Sequence, residues 1–178
     1  MFGLWGRKEE EEPPVERREV PVRALTPSGW ISGKLSMPGI VRIVDFIDLE
    51  VFLRLTEVRF EGDEKELAFL ALRRDSIIIL TVDSNENLES VETLGFQDEH
   101  RVTCWIECGA IQGVMLLRLG ARLSDYMTRH EGLVVLRECR YRIRNPMTMK
   151  VEEGESWALL LNPQKIVAIT EAPQTGEG

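Results

Sequence analysis

The sequence predicts an all-β fold with short helices, built as two tandem five-stranded small barrels related by internal duplication. Two observations carry this. The chain aligns with itself over most of its length, and each copy strings together short apolar runs punctuated by Pro, Gly and polar turns. Five short strands in a unit of about 65–75 residues must bend sharply. A small closed barrel or a very twisted sheet is how so short a unit encloses a core.

The self-alignment never breaks order. At a shift of 80, Val22, Gly29, Ile31, Gly33, Arg42, Asp45 and Phe46 fall on Val102, Gly109, Ile111, Gly113, Arg122, Asp125 and Tyr126. One added residue near His130–Gly132 makes the shift 81, which sets Leu55, Glu57, Arg59 and Phe60 on Leu136, Glu138, Arg140 and Tyr141. About eight more enter between Asn145 and Glu155, and at a shift of 89 Leu70, Leu72, Ile77 and Thr81 meet Leu159, Leu161, Ile166 and Thr170. The first unit is expected over residues 20–83 and the second over 100–171, with an acidic linker at 84–99. Residues 1–19 read as a disordered segment with an apolar tip, and 172–178 as a flexible tail.

Within a unit, Val20–Leu25 and Trp30–Leu35 flank Thr-Pro-Ser-Gly, a hairpin signal repeated around Gly109. Gly33 and Gly113, inside second strands, point to a bulge or a bend. Ile43, Phe46, Ile47 and Leu49, like Leu123, Tyr126 and Met127, are spaced for one short helical face. FLRLTEVRFE and GLVVLRECRYRI follow as third strands. Ala68–Leu72 and Ile77–Val82 close the first copy around the turn Arg73–Ser76. Trp157–Leu161 and Ile166–Thr170 close the second around Asn162-Pro163-Gln164. One unit alone has a thin core, so the two copies are expected to pack as a pseudo-twofold pair.

The net charge of −8 disfavours a general nucleic-acid binder, whose affinity rests on phosphate contacts. No apolar run approaches the ~20 residues that span a bilayer, and no secretory h-region opens the chain. Cys104, Cys108 and Cys139 are odd in number, which fits free thiols in a reducing cytoplasm. Phosphate-loop, dinucleotide, zinc-protease and nucleophile-elbow motifs are absent, so no catalytic residue, metal or cofactor is assigned.

Four features remain as candidates. Arg42 with Asp45, and Arg122 with Asp125, either grip a ligand or shape the chain; the structural role is expected, with Asp capping a helix or pairing with Arg on the same face. Cys104, Cys108, Cys139 and His100 lack standard zinc spacing and have no counterparts in the first copy, so they read as core or incidental. Arg140, Arg142 and Arg144 alternate along one strand face, fit to bind an anion or nucleic acid, or to form a solvated face toward the acidic linker or Glu152–Glu155. Phe2, Leu4 and Trp5 form an apolar tip that docks a partner protein, touches a membrane surface weakly, or folds back on the barrels.

The hairpin, the Ile-x-Gly strand and the final apolar pair around a tight turn resemble the Sm-like (Sm/SH3-like) small barrels. RLSDYM (Arg122–Met127) also resembles a group of short bacterial domains of unknown function marked by Arg-Leu-Ser-Asp-x-Leu, and RIVDFI (Arg42–Ile47) matches it more loosely. The second resemblance implies a bacterial origin and no activity. The first implies RNA binding through an Asp-x-x-Met-Asn loop and an Arg-Gly turn, neither intact here. The function expected is a non-catalytic interaction or regulatory module that docks a protein partner through its N-terminal peptide. The alternative is an Sm-like nucleic-acid binder using Arg140, Arg142 and Arg144.

Overall fold

The computed structural model describes residues 16–82 and 97–172. Repeat 1 contains β1 (Arg17–Thr26), β2 (Gly29–Pro38), α1 (Ile43–Leu49), β3 (Phe52–Phe60), β4 (Glu66–Arg73) and β5 (Ile79–Val82). Repeat 2 contains β6 (Gln97–Ile106), β7 (Gly109–Arg118), α2 (Leu123–Arg129), β8 (Val134–Arg144), β9 (Val151–Leu161) and β10 (Ile166–Glu171). The all-β expectation holds. The two closed barrels do not: the ten strands form one open antiparallel sheet in the order β10-β6-β7-β8-β9-β5-β1-β2-β3-β4. The reason lies at the edges. The outer side of β5 is bonded to β9 of the other repeat through Ile79↔Leu161 and Leu80↔Leu160, so it is not free to close on its own β4.

Inside the repeats the duplication is carried down to the hydrogen-bond register. Leu25↔Ile79 and Ala24↔Leu80 in repeat 1 become Trp105↔Ala168 and Cys104↔Ile169 in repeat 2. Leu53↔Leu72 and Arg54↔Ala71 become Val134↔Leu161 and Val135↔Leu160. Both first strands begin three residues before the expected starts at 20 and 100, at Arg17 and Gln97. Their polar leading residues are held by backbone pairing to Pro38 and Arg118, which apolar periodicity does not register.

The glycine signal resolves into a bulge on the neighbouring strand. Register shifts between Ser32 and Lys34, and again between Gln112 and Val114. Opposite them Glu57 and Glu138 take φ of 51° and 50°. A Cβ on Gly33 would sit 3.1 Å from the Thr56 carbonyl oxygen, and one on Gly113 3.0 Å from that of Arg137, so glycine lets the bulged strand approach.

Two apolar cores flank the junction, and each takes residues from both repeats. The repeat 1 core includes Leu133, Ala158 and Leu160 of repeat 2. The repeat 2 core includes Leu25, Trp30, Ile78 and Ile79 of repeat 1. Alternate side chains point to opposite faces of a strand, so β9 sends Ala158 and Leu160 to one core and Leu159 and Leu161 to the other. The join is head-to-tail, one repeat's last strand against the other's fourth, and this replaces the expected pseudo-twofold pair.

The second insertion found in the sequence fastens this join. Asn145 opens the loop, accepting at Oδ1 from the Met147 amide at 2.9 Å and donating from Nδ2 to Glu61 of repeat 1 at 2.7 Å. Arg23 grips Glu152 with both terminal nitrogens at 2.7 and 2.8 Å, and its guanidinium lies 4.0 Å over the Trp30 ring. Hydrogen bonding from Arg23 holds the Glu152 carboxyl below its ordinary 4.5.

Two outcomes are expected. Leu160→Ala loses about 2–5 kcal/mol of stability, and in urea the Trp fluorescence and far-ultraviolet transitions still coincide because the cores share β9; separate transitions would contradict the shared core. A carboxyl depressed on folding stabilises while ionised. The Glu152 contribution is therefore complete above about pH 4.5 and is lost as pH falls through the lower folded value. Glu152→Gln shows a shallower acid-side slope in a pH series of melting temperatures.

Candidate functional site

A cleft of about 670 Å³ opens between the repeats, within the usual range for ligand sites. Both copies of the Arg-x-x-Asp motif line it, because α1 and α2 occupy equivalent places after the second strand of each repeat. Its floor is apolar, with buried Met115, Leu117 and Leu133 beside half-buried Val135 and Ala121.

The two motif copies are not in the same state. In repeat 1, Asp45 accepts from Arg42 through both carboxylate oxygens, with Nη2 at 2.8 Å from Oδ1. In repeat 2, Arg122 and Asp125 form no ion pair with each other or with any other described residue. Neither helix is capped by the side chain of its first flanking residue. Arg118 at the end of β7 and Arg129 at the end of α2 also line the cleft, and neither has an ion-pair partner among the described residues. Arg137 lies 5.5 Å from the Trp157 ring. Against Arg42, Arg118, Arg122, Arg129 and Arg137 stand Asp45, Asp48 and Asp125, so the lining is positive in a net-acidic chain.

Asp48 ties the cleft walls together. Its Oδ1 accepts from the Leu133 amide at 3.1 Å, and its own carbonyl accepts from the Arg74 guanidinium. A Cβ on Gly132 would sit 2.3 Å from the Asp48 carboxylate, so a larger residue there must push Asp48 out of its present position. Tyr126 stacks on His130 with ring centroids 4.8 Å apart, and burial with the Asp48 charge raises the Tyr126 phenol above its ordinary value. The sequence reading singled out neither Asp48, Arg118, Arg129 nor His130 as a cleft residue. The signal that would have found these residues is divergence between the copies: Arg118, Arg129, His130 and Arg137 stand where repeat 1 has Pro38, Leu49, Glu50 and Thr56.

The arginine stripe lies on an exposed face of β8, with Cys139 and Ile143 buried opposite. Its charge is partly matched across to β9, since Arg140 pairs with Glu155 at 2.9 Å and Arg142 with Glu153 at 3.0 Å. These pairs are about three-quarters exposed and contribute little energy. Arg144 has no ion-pair partner among the described residues. The Cys104 and Cys139 thiols are buried, and desolvation pushes both up to about 12, which keeps them protonated. Cys108 lies beyond β6 in the turn to β7. Among the described residues no three His, Cys, Asp or Glu side chains cluster for a metal; His100 Nδ1 meets Glu171 at 2.6 Å instead. Phe2, Leu4 and Trp5 lie outside the described residues. No helix among the described residues is long and apolar enough to cross a membrane.

Asp45→Asn and Asp48→Ala separate a surface pair from a structural tie. Asp45→Asn changes stability by no more than about 0.5 kcal/mol. Asp48→Ala costs about 1–3 kcal/mol in urea unfolding, because it strands the Leu133 amide. Comparison with family models, with curated proteins and with solved structures gives no match to this chain, so what the cleft does rests on its own residues.

Proposed function

We propose that the protein is a non-catalytic interaction module whose cleft holds an acidic, partly apolar segment of a protein partner. One observation carries the reading: Arg118, Arg122 and Arg129 stand without ion-pair partners among the described residues around an apolar floor. Such a lining receives carboxylates at the rim and apolar side chains below. The rim charges set encounter rate and partner choice, and the buried floor supplies the apolar contact.

The strand order within each repeat, last strand first and then the first to the fourth in turn, supports an Sm-like topology carried in an open sheet rather than a closed barrel. The cross-strand pairing of Arg140 and Arg142 with acids favours a protein partner over nucleic acid. The N-terminal tip at Phe2, Leu4 and Trp5 is read as a second docking element on the same partner. The protein is read as a bacterial cytoplasmic one.

Pull-down from native lysate with the full chain tests this. Arg122→Glu with Arg129→Glu lowers capture about tenfold or more, whereas Arg140→Glu with Arg142→Glu leaves it unchanged. Capture also weakens as salt screens the rim. Deleting residues 1–8 lowers capture further. Equal capture by the cleft variant sinks the cleft reading, and nuclease-sensitive capture lost with the stripe variant replaces it with the nucleic-acid reading.

A further inference from the structure

The internal junction joins two edges that each repeat possesses. Repeat 1 offers its last strand, β5, and repeat 2 offers its fourth, β9. The complementary edges, β4 of repeat 1 and β10 of repeat 2, end the sheet without a partner among the described residues. Each free edge is thus the counterpart of an edge that is already paired in the same chain, in the same register with its neighbours.

Burial separates the used and unused copies of this interface. Leu133 and Ala158 are buried at 4% and 3%, and their counterparts in repeat 1, Phe52 and Phe69, are exposed at 50% and 58%. Leu25 and Ile78 are buried at 0% and 8%, and their counterparts in repeat 2, Trp105 and Val167, are exposed at 40% and 69%. Four of the large exposed apolar side chains are therefore the positions that the internal junction buries. They fall at the two ends of the sheet: Phe69 and Val167 on the edge strands β4 and β10, and Phe52 and Trp105 on the strands next to them, β3 and β6. Unpaired edges and exposed apolar patches both mark surfaces awaiting a partner.

We propose that the chain assembles head-to-tail with further copies of itself, β4 of one copy pairing with β10 of the next as β9 pairs with β5 within the chain. Transferring the junction register gives Leu72 opposite Ala168 of the next copy and Ala71 opposite Ile169. A heterologous contact of this kind leaves a free edge at each end of every open oligomer, so it propagates to a closed ring or a filament. Strand addition supplies the backbone bonds, and the exposed aromatic side chains fill the neighbouring core as their counterparts do inside the chain.

Light scattering on the full chain at high micromolar concentration reads out the assembly. A mass above that of the 20.4 kDa monomer is expected, and a monomer at every concentration overturns the proposal. Val167→Asp spoils only the β10 edge, and Phe69→Asp only the β4 edge. Each variant alone is monomeric with an unchanged far-ultraviolet spectrum, and a 1:1 mixture gives a dimer through the one intact edge on each. A mixture that stays monomeric, or variants that still assemble, rejects the head-to-tail geometry. As a second measurement, Ala71→Cys protein mixed with Ile169→Cys protein forms a disulfide-linked pair under mild oxidation. Absence of that pair overturns the predicted register.

Discussion

Strand β9 holds the molecule together because it belongs to two cores at once. A strand presents successive side chains to opposite faces, and over Ala158–Leu161 both faces are apolar and both are covered. Neither repeat alone encloses much apolar surface, since small units bury a low fraction of their chain. Sharing β9 and β5 lets each repeat borrow side chains from the other, and the sheet stays continuous across the join. The helices α1 and α2, the cleft between them and the Asp48 tie to Leu133 all depend on that placement.

The cleft turns an equivalence of sequence into a difference of chemistry. The same Arg-x-x-Asp spacing gives a closed ion pair in repeat 1 and, in repeat 2, an arginine with no ion-pair partner among the described residues. The surroundings of the second copy carry the additional cations, and the first copy does not. The motif by itself thus says little about binding; its neighbours decide whether its charge is spent locally or offered outward.

Much of the fold was legible in the sequence because duplication repeats its own punctuation. Gly33 with Gly113, the turn at Thr26–Gly29 and the short helices at Ile43 and Leu123 all mark equivalent elements, and the three shifts reproduce the strand registers. What stayed hidden was which edges meet. Edge pairing leaves no periodic signal, since β4 and β9 both read as apolar strands with a turn after them. Leu67–Leu72 is as unbroken an apolar run as Trp157–Leu161, so composition does not tell β9, covered on both faces, from β4, which is not. Asp48 and Gly132 were hidden for another reason: their contact joins positions far apart in the chain and obeys no local rule.

The connection from β5 to β6, residues 83–96, gives the inner join a further property. It holds the two repeats within one chain, so β5 and β9 meet at an effective concentration of order millimolar whatever the dilution. The Arg23–Glu152 clasp adds to this, and the residue equivalent to Arg23 in repeat 2 is Thr103, which offers no such clasp to an outer edge. An outer join made from the same strands bears the full entropy of bringing separate molecules together. One strand geometry thereby supplies a permanent seam inside the chain, and at its ends a seam whose occupancy tracks how much protein is present.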